Sequence, residues 1–268
     1  MSEFIRPHGE WSADVRQWER RALESVVPLT VRSGAGRIVV GTGVLVVGTG
    51  ETFGWHGRRS PAARRGTRES AIVTARHVIE QIDNAIDAGA AFETLTPPSR
   101  GARSRAIPLR ASRFVSHSDL AADLAWIVPP TAIVNELHRG RRFLHLAARQ
   151  LPSTDPSSRY LVVGYPTEQG LVDLDLEPPD YLGLMSGSYR GDRSVASEPV
   201  DPDLHLLLAL DEGAAPRSLQ GMSGSPVWEV SPRGLGRWAG IQTSVLPRRW
   251  IRATRVSSLL NESFRPRP

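Results

Sequence analysis

A serine set between glycines stands in the hexapeptide Gly221-Met222-Ser223-Gly224-Ser225-Pro226. Gly221 and Gly224 can adopt φ > 0, which a β-carbon penalises, so the segment suits a tight turn presenting Ser223 as a nucleophile. Such a turn also leaves main-chain N–H groups directed at one spot beside Ser223 Oγ, where a developing oxyanion could be stabilised. A serine hydroxyl is a weak nucleophile until a base takes its proton and a third group orients that base. The alternative for the hexapeptide alone is a Gly/Ser turn between two strands. Ser225 is a second hydroxyl in the same segment, without a glycine on each side.

Candidates for the base are the histidines His8, His56, His77, His117, His138, His145 and His205, and all precede Ser223. That order disfavours an α/β-hydrolase, whose chain runs serine, acid, histidine, and position 225 lacks the glycine of a G-x-S-x-G elbow. His77 follows the apolar run Ile72-Val73-Thr74-Ala75, where a buried strand passes into a helical turn, so its ring would be held by rigid structure. His117 and His56 lie in polar stretches and are expected to be solvated. Asp123 opens the apolar stretch Leu124-Ala125-Trp126-Ile127-Val128, where an unpartnered carboxylate is costly. An imidazole N–H would satisfy it. Asp119 also precedes Leu-Ala, but the strand that continues from Asp123 favours the latter. Taken singly, His77 is better explained by a hydrogen-bonded structural role than by that of a base.

The elements that would carry these groups are mostly strands. Residues 10–26, with Trp11, Val15, Trp18, Ala22 and Val26 at three- and four-residue steps, predict an amphipathic helix. Runs rich in β-branched residues at 26–31, 38–47, 70–74, 107–115 and 123–128 predict strands, the last stopped by Pro129-Pro130. A polar Arg/Gly-rich loop separates two of them over 50–69. Residues 76–88 predict a helix with Val78, Ile79, Ile82 and Ile86 on one side, and 131–149 a connecting helix or crossover. Six further strands are predicted over 160–164, 171–176, 181–189, 204–210, 226–230 and 237–243, which suits a closed antiparallel barrel or sandwich. A short helix is expected over 257–264. The glycines of Gly41-Thr42-Gly43 fit close backbone approach in a strand better than a nucleotide loop, since no helix pattern follows.

Composition removes several chemistries. Cysteine is absent, which excludes disulfides, thiolate–zinc sites and cysteine nucleophiles. Lysine is absent too, and all 33 basic residues are arginine, which excludes a Walker lysine, Schiff-base chemistry and serine–lysine hydrolysis. No stretch approaches the ~18 apolar residues of a membrane helix, and the first residues lack the apolar core of a signal peptide. The expectation is a cytoplasmic protein with no membrane partner, no metal and no cofactor. Arginine clusters such as Arg58-Arg59, Arg64-Arg65, Arg139 to Arg142 and Arg248-Arg249 could meet phosphates. Without aromatic interleaving, a zinc motif or a recognition helix, nucleic-acid binding is not expected.

In combination the three motifs resemble those of the chymotrypsin/trypsin-like serine peptidases, particularly bacterial members. Thr74-Ala75-Arg76-His77 resembles the T-A-x-H segment, Asp123-Leu124-Ala125 the D-(I/L)-A strand, and the Ser223 hexapeptide G-(D/N)-S-G-G-P, in the same chain order. Gly41-Thr42-Gly43-Val44-Leu45-Val46 is similar to the G-T-G-F-L-V strand, Val162-Val163-Gly164-Tyr165-Pro166 to V-x-G-Y/F-P, and Ala239-Gly240-Ile241-Gln242-Thr243 to the strand lining the substrate cleft. The resemblance covers roughly 30–262. It implies an all-β fold of two antiparallel β-barrels of chymotrypsin type, with the active site in the cleft between them and short N- and C-terminal helices. The implied division is a helical extension over 1–26, a first barrel over 27–130 carrying His77 and Asp123, a connection over 131–150, and a second barrel with the C-terminal helix over 151–268.

The resemblance further implies a serine endopeptidase. Ser223 would attack the carbonyl, His77 would take its proton, and Asp123 would hold the imidazole. The N–H groups of Gly221 and Ser223 would form the oxyanion hole. A gap-free match puts Arg217 at the base of the specificity pocket, favouring an acidic residue before the scissile bond, with Gln220 and Thr243 flanking it. Met222 stands where digestive members carry an Asp that pairs with a newly cut N-terminus, so activation by propeptide cleavage is not expected and Met222 should pack in the core. The implied partner is a protein or peptide substrate; the missing zymogen signature adds the expectation of a regulatory protein that controls access. The alternative is a peptidase-fold module that binds peptides without turnover.

Overall fold

The computed structural model describes residues 12–34, 36–49, 68–96, 104–117, 119–146, 159–167, 181–188, 200–210, 219–231, 234–246, 250–260 and 264–266. Most of the Arg-rich 50–69 loop, the strand expected over 171–176, and Arg217, His8 and His56 lie outside them.

The first half is one sheet. Helix α1 (Ser12–Leu23) leads into β1 (Val26–Ser33), β2 (Gly36–Thr49) and β3 (Arg68–Ala75). Helix α2 (Arg76–Asp87) follows, then β4 (Ala91–Leu95), β5 (Ala106–Pro108), β6 (Arg113–His117), a 3₁₀ turn over Leu120–Ala122, and β7 (Leu124–Val128). Helix α3 (Thr131–His138) and the two-residue strand β8 (Leu144–His145) make the connection. The ladder runs β6-β7-β3-β2-β1-β4-β5, antiparallel throughout, with β8 added parallel to β2.

The second half is a closed barrel. Strands β9 (Arg159–Gly164), β10 (Leu182–Ser188), β11 (His205–Leu210), β12 (Pro226–Ser231), β13 (Gly234–Leu246) and β14 (Trp250–Arg255) close in the order β10-β11-β14-β13-β12-β9. A 3₁₀ turn, Val256–Leu260, and strand β15 (Phe264–Pro266) end the chain. Strands β4 and β14 are not among those expected, and two expected elements take another form. The helix predicted over 257–264 is this turn plus β15, which crosses back to pair with β6 in the first sheet. The strand predicted over 107–115 is two strands, β5 and β6, broken at Leu109 to Ser112.

Burial explains why the central strands read as unbroken apolar runs. Along β2, Val44 and Val46 face one cluster while Leu45 and Val47 face another; Val73 against Ile72 and Trp126 against Ile127 repeat the division. Both faces of this part of the sheet are covered, so side chains alternating across the pleat are apolar on each side. One face packs on α2 through Val78, Ile79 and Ile82. The other meets the barrel through Leu161, Val163, Trp228, Trp238 and Ile241, with Val15, Trp18 and Ala22 of α1 in the same cluster. The two halves and α1 thus share one apolar interface. Among the described residues no helix is long and apolar enough to cross a membrane.

Candidate active site

His77 is the second residue of α2, whose N-cap Ala75 offers no side-chain acceptor. The free N–H groups at a helix start need outside partners. Asp123 supplies one: His77 N–H donates to Asp123 Oδ1 at 3.1 Å, and the ring Nδ1–H donates to Oδ2 at 2.7 Å. Gripping a carboxylate by main chain and ring together fixes the Nδ1–H tautomer and leaves Nε2 as the basic nitrogen. The positive end of the helix dipole favours a carboxylate in this place. The Asp123 side chain is 11% exposed and that of His77 33%, so the carboxylate is enclosed while the imidazole keeps one side open.

The backbone of Asp123 is unusual. Its φ of 48° is left-handed, and among the described residues it is the one non-glycine residue with positive φ. Such a conformation costs about 1–2 kcal/mol, and Asp is one of the residue types that visit it. The turn is held by Arg76 N–H, which donates to Asp123 O at 2.8 Å. Asp119, the competing acid, instead caps the 3₁₀ turn by accepting from Ala121 N–H.

Ser223 sits on a turn built from main chain. Gly221 and Gly224 have φ of 84° and 93°, as the glycine spacing predicts. A β-carbon on Gly224 would collide with Thr42 O and Thr74 Oγ1. Thr42 N–H donates to Ser223 O at 2.8 Å, Thr42 Oγ1 donates to Gly221 O at 3.0 Å, and Thr74 Oγ1 donates to Thr42 O at 2.8 Å. A β-carbon on Gly41 would strike Val78, the neighbour of His77, and come within 3.3 Å of Ser223 O. The first sheet therefore presses the Ser223 turn against the structure that carries His77.

Within the turn, Met222 N–H, Gly224 N–H and Ser225 N–H donate to Leu219 O, Gln242 O and Met222 O. Among the described residues, the N–H groups of Gly221 and Ser223 have no acceptor. Their directions are set from behind. Gln220 O accepts from Thr167 N–H at 2.7 Å and Met222 O accepts from Ser225 N–H at 2.9 Å. A trans peptide points its N–H opposite to its C=O, so each N–H faces away from that partner.

The remaining expectations divide. Met222 is fully buried in the barrel core, as predicted. Ser225 is also fully buried, against Gly164, which removes it as a nucleophile. Gln220 is exposed, whereas Thr243 is buried and its hydroxyl donates to Arg252 O at 3.4 Å. His117, expected to be solvated, is 5% exposed at the end of β6, and burial lowers its pKa. Sequence reasoning missed the buried threonines Thr42 and Thr74 and the pair His205 and Thr254. The G-T-G pattern marked the position of Thr42 but not its reach to Gly221. Among the described residues no cluster of acidic or histidine side chains could hold a metal ion.

No family model and no curated protein matches the sequence. Solved structures do match over nearly the whole chain. Deg5 is 14% identical with a TM-score of 0.53, covering 95% of this chain and 94% of its own. The active form of the Rv3671c protease from M. tuberculosis is 15% identical with a TM-score of 0.51, covering 97% and 90%. GrC is 15% identical with a TM-score of 0.51, covering 88% and 90%. These neighbours are trypsin-like serine proteases. At such identities the likeness is one of fold: the chain has the chymotrypsin-like architecture, a closed six-stranded barrel joined to a second sheet.

Proposed function

We propose that the chain is a serine endopeptidase acting through Ser223, His77 and Asp123. The observation that carries the reading is the doubly hydrogen-bonded Asp123–His77 pair, with Nδ1 committed to the acid. Ser223 Oγ would attack the peptide carbonyl as His77 Nε2 takes its proton, giving a tetrahedral oxyanion. The N–H groups of Gly221 and Ser223, the two in the turn without acceptors among the described residues, would receive that oxyanion. One such donor is worth about 10²–10³ in rate. The imidazolium then protonates the leaving amine, and water attacks the acyl-enzyme with His77 again as base.

A protein partner, rather than a cleaved propeptide, would govern activity in this reading. Met222 is fully buried beside Ser223 and offers no carboxylate to a newly formed N-terminal ammonium. Substrates would be proteins or peptides, with Arg217 as the proposed determinant of an acidic preference before the cut. The test is digestion of a diverse peptide library, read by mass spectrometry, with wild type and Ser223→Ala. Cleavage by wild type alone, after acidic residues, supports both statements. Uncleaved peptides from wild type favour the binding module.

A further inference from the structure

The acid is supported from the opposite half of the molecule. His205 opens β11 and Thr254 lies directly across from it on β14. Side chains on a cross-strand pair stand on one face about 5 Å apart. Here both reach out of the barrel to consecutive carbonyls of the 3₁₀ turn in the first half. His205 Nε2–H donates to Ala121 O at 2.9 Å, and Thr254 Oγ1 donates to Ala122 O at 2.6 Å. These carbonyls end the 3₁₀ turn that delivers Asp123 in its left-handed conformation. Both side chains are almost wholly buried, at 1% and 0% exposure.

The imidazole is committed in one state. Asp201 N–H donates to His205 Nδ1 at 3.1 Å, so Nδ1 carries the lone pair and Nε2 the hydrogen. Protonation would set a second ring N–H against the Asp201 N–H. Burial lowers the pKa of His205, helped by Arg252 on β14, while the bond to Ala121 O, Asp201 on its own turn and Asp119 across the interface oppose this. The ring is therefore a neutral, fixed donor rather than a surface histidine.

We infer that His205, with Thr254, is a positioning residue that holds the Asp123 turn in place from the second barrel. The inference rests on the peptidase reading for its catalytic consequence, but the placement of the acid is a separate observable. Removing the donor leaves Ala121 O without its bond from His205 and frees the left-handed turn at Asp123 to relax. A displacement of about 1 Å at a catalytic group can cost on the order of a hundredfold in rate.

The test compares wild type, His205→Leu and His205→Gln, whose amide nitrogen can reproduce the Nε2–H donor. Two readouts are taken: the rate of fluorophosphonate labelling of Ser223, and the low-field proton resonance of the His77 Nδ1–H bonded to Asp123. We expect His205→Leu to label tenfold or more slowly with a shifted or broadened resonance, and His205→Gln to restore both. Wild-type labelling and an unmoved resonance in a folded His205→Leu would overturn the inference. Should that variant fail to fold, Thr254→Val takes its place under the same readouts and criteria. If wild type itself does not label, the peptidase reading falls, and the resonance alone decides whether His205 positions the acid.

Discussion

The two halves of the candidate site are built by different means. His77 and Asp123 are fixed by side chains: a carboxylate gripped twice, a helix start and a left-handed residue. Ser223 is fixed by main chain, with glycines at positive φ and carbonyls held by Thr42 and Thr167. The side-chain half should lose chemistry when a functional group changes while its shape remains. The main-chain half should lose its fold when an atom is added. Substitutions can separate these two kinds of failure.

The largest expected effect is on the side-chain half. Asp123→Asn keeps the shape but cannot accept both His77 bonds in the same way, and kcat should fall about 10⁴-fold. The midpoint of urea unfolding should move little. A comparable loss of stability and activity together would break the contrast.

Gly224→Ala tests the other half. The new β-carbon meets Thr42 O and Thr74 Oγ1 at a φ of 93°, and the backbone must move. Such a change should cost upwards of ~3 kcal/mol, seen as a lowered urea midpoint together with lost labelling of Ser223. Thr42→Val sharpens the comparison at smaller scale. It keeps the volume but leaves Gly221 O and Tyr165 N–H without the hydroxyl that serves both. The expected cost is about 1–3 kcal/mol, measured in the same way.

The smallest effect is remote from both halves. Glu19 of α1 is 4% exposed over Gly183 of β10, and burial raises its pKa from 4.5 to about 7, with Arg16 partly opposing. The folded state therefore holds this proton more tightly than the unfolded chain. Its stabilising contribution is full below about pH 4.5 and is lost as pH rises through 7. Glu19 makes the fold less stable at pH 8 than at pH 5, while the buried neutral His117 and His205 act in the opposite direction. Glu19→Gln should therefore shift the pH 8 stability upward relative to that at pH 5 when compared with wild type. Urea midpoints at the two pH values measure it.

Much of this was legible in the sequence because it is local. The helix over 76–88, the strand from Asp123 and the glycine turn each carry their signal in a few adjacent residues. Strand β14 escaped because only Ile251 and Ala253 carry its apolar face, between Arg252 and Arg255, too short a run to stand out. The C-terminal segment read as helical because its partner, β6, lies far back in the chain. His117 looked solvated because its local neighbours are polar, while the surface that buries it comes from elsewhere. His205 gave no signal at all, since its partner is a backbone carbonyl in the other half and has no residue type to betray it.

The most direct measurement is stoichiometric fluorophosphonate labelling with the adduct located by peptide mapping, on wild type, His77→Ala and Ser223→Ala. An activated serine is predicted to give one adduct on Ser223 in wild type, a strongly slowed reaction in His77→Ala and none in Ser223→Ala. An unlabelled wild type, or an adduct that persists in Ser223→Ala, would contradict the account.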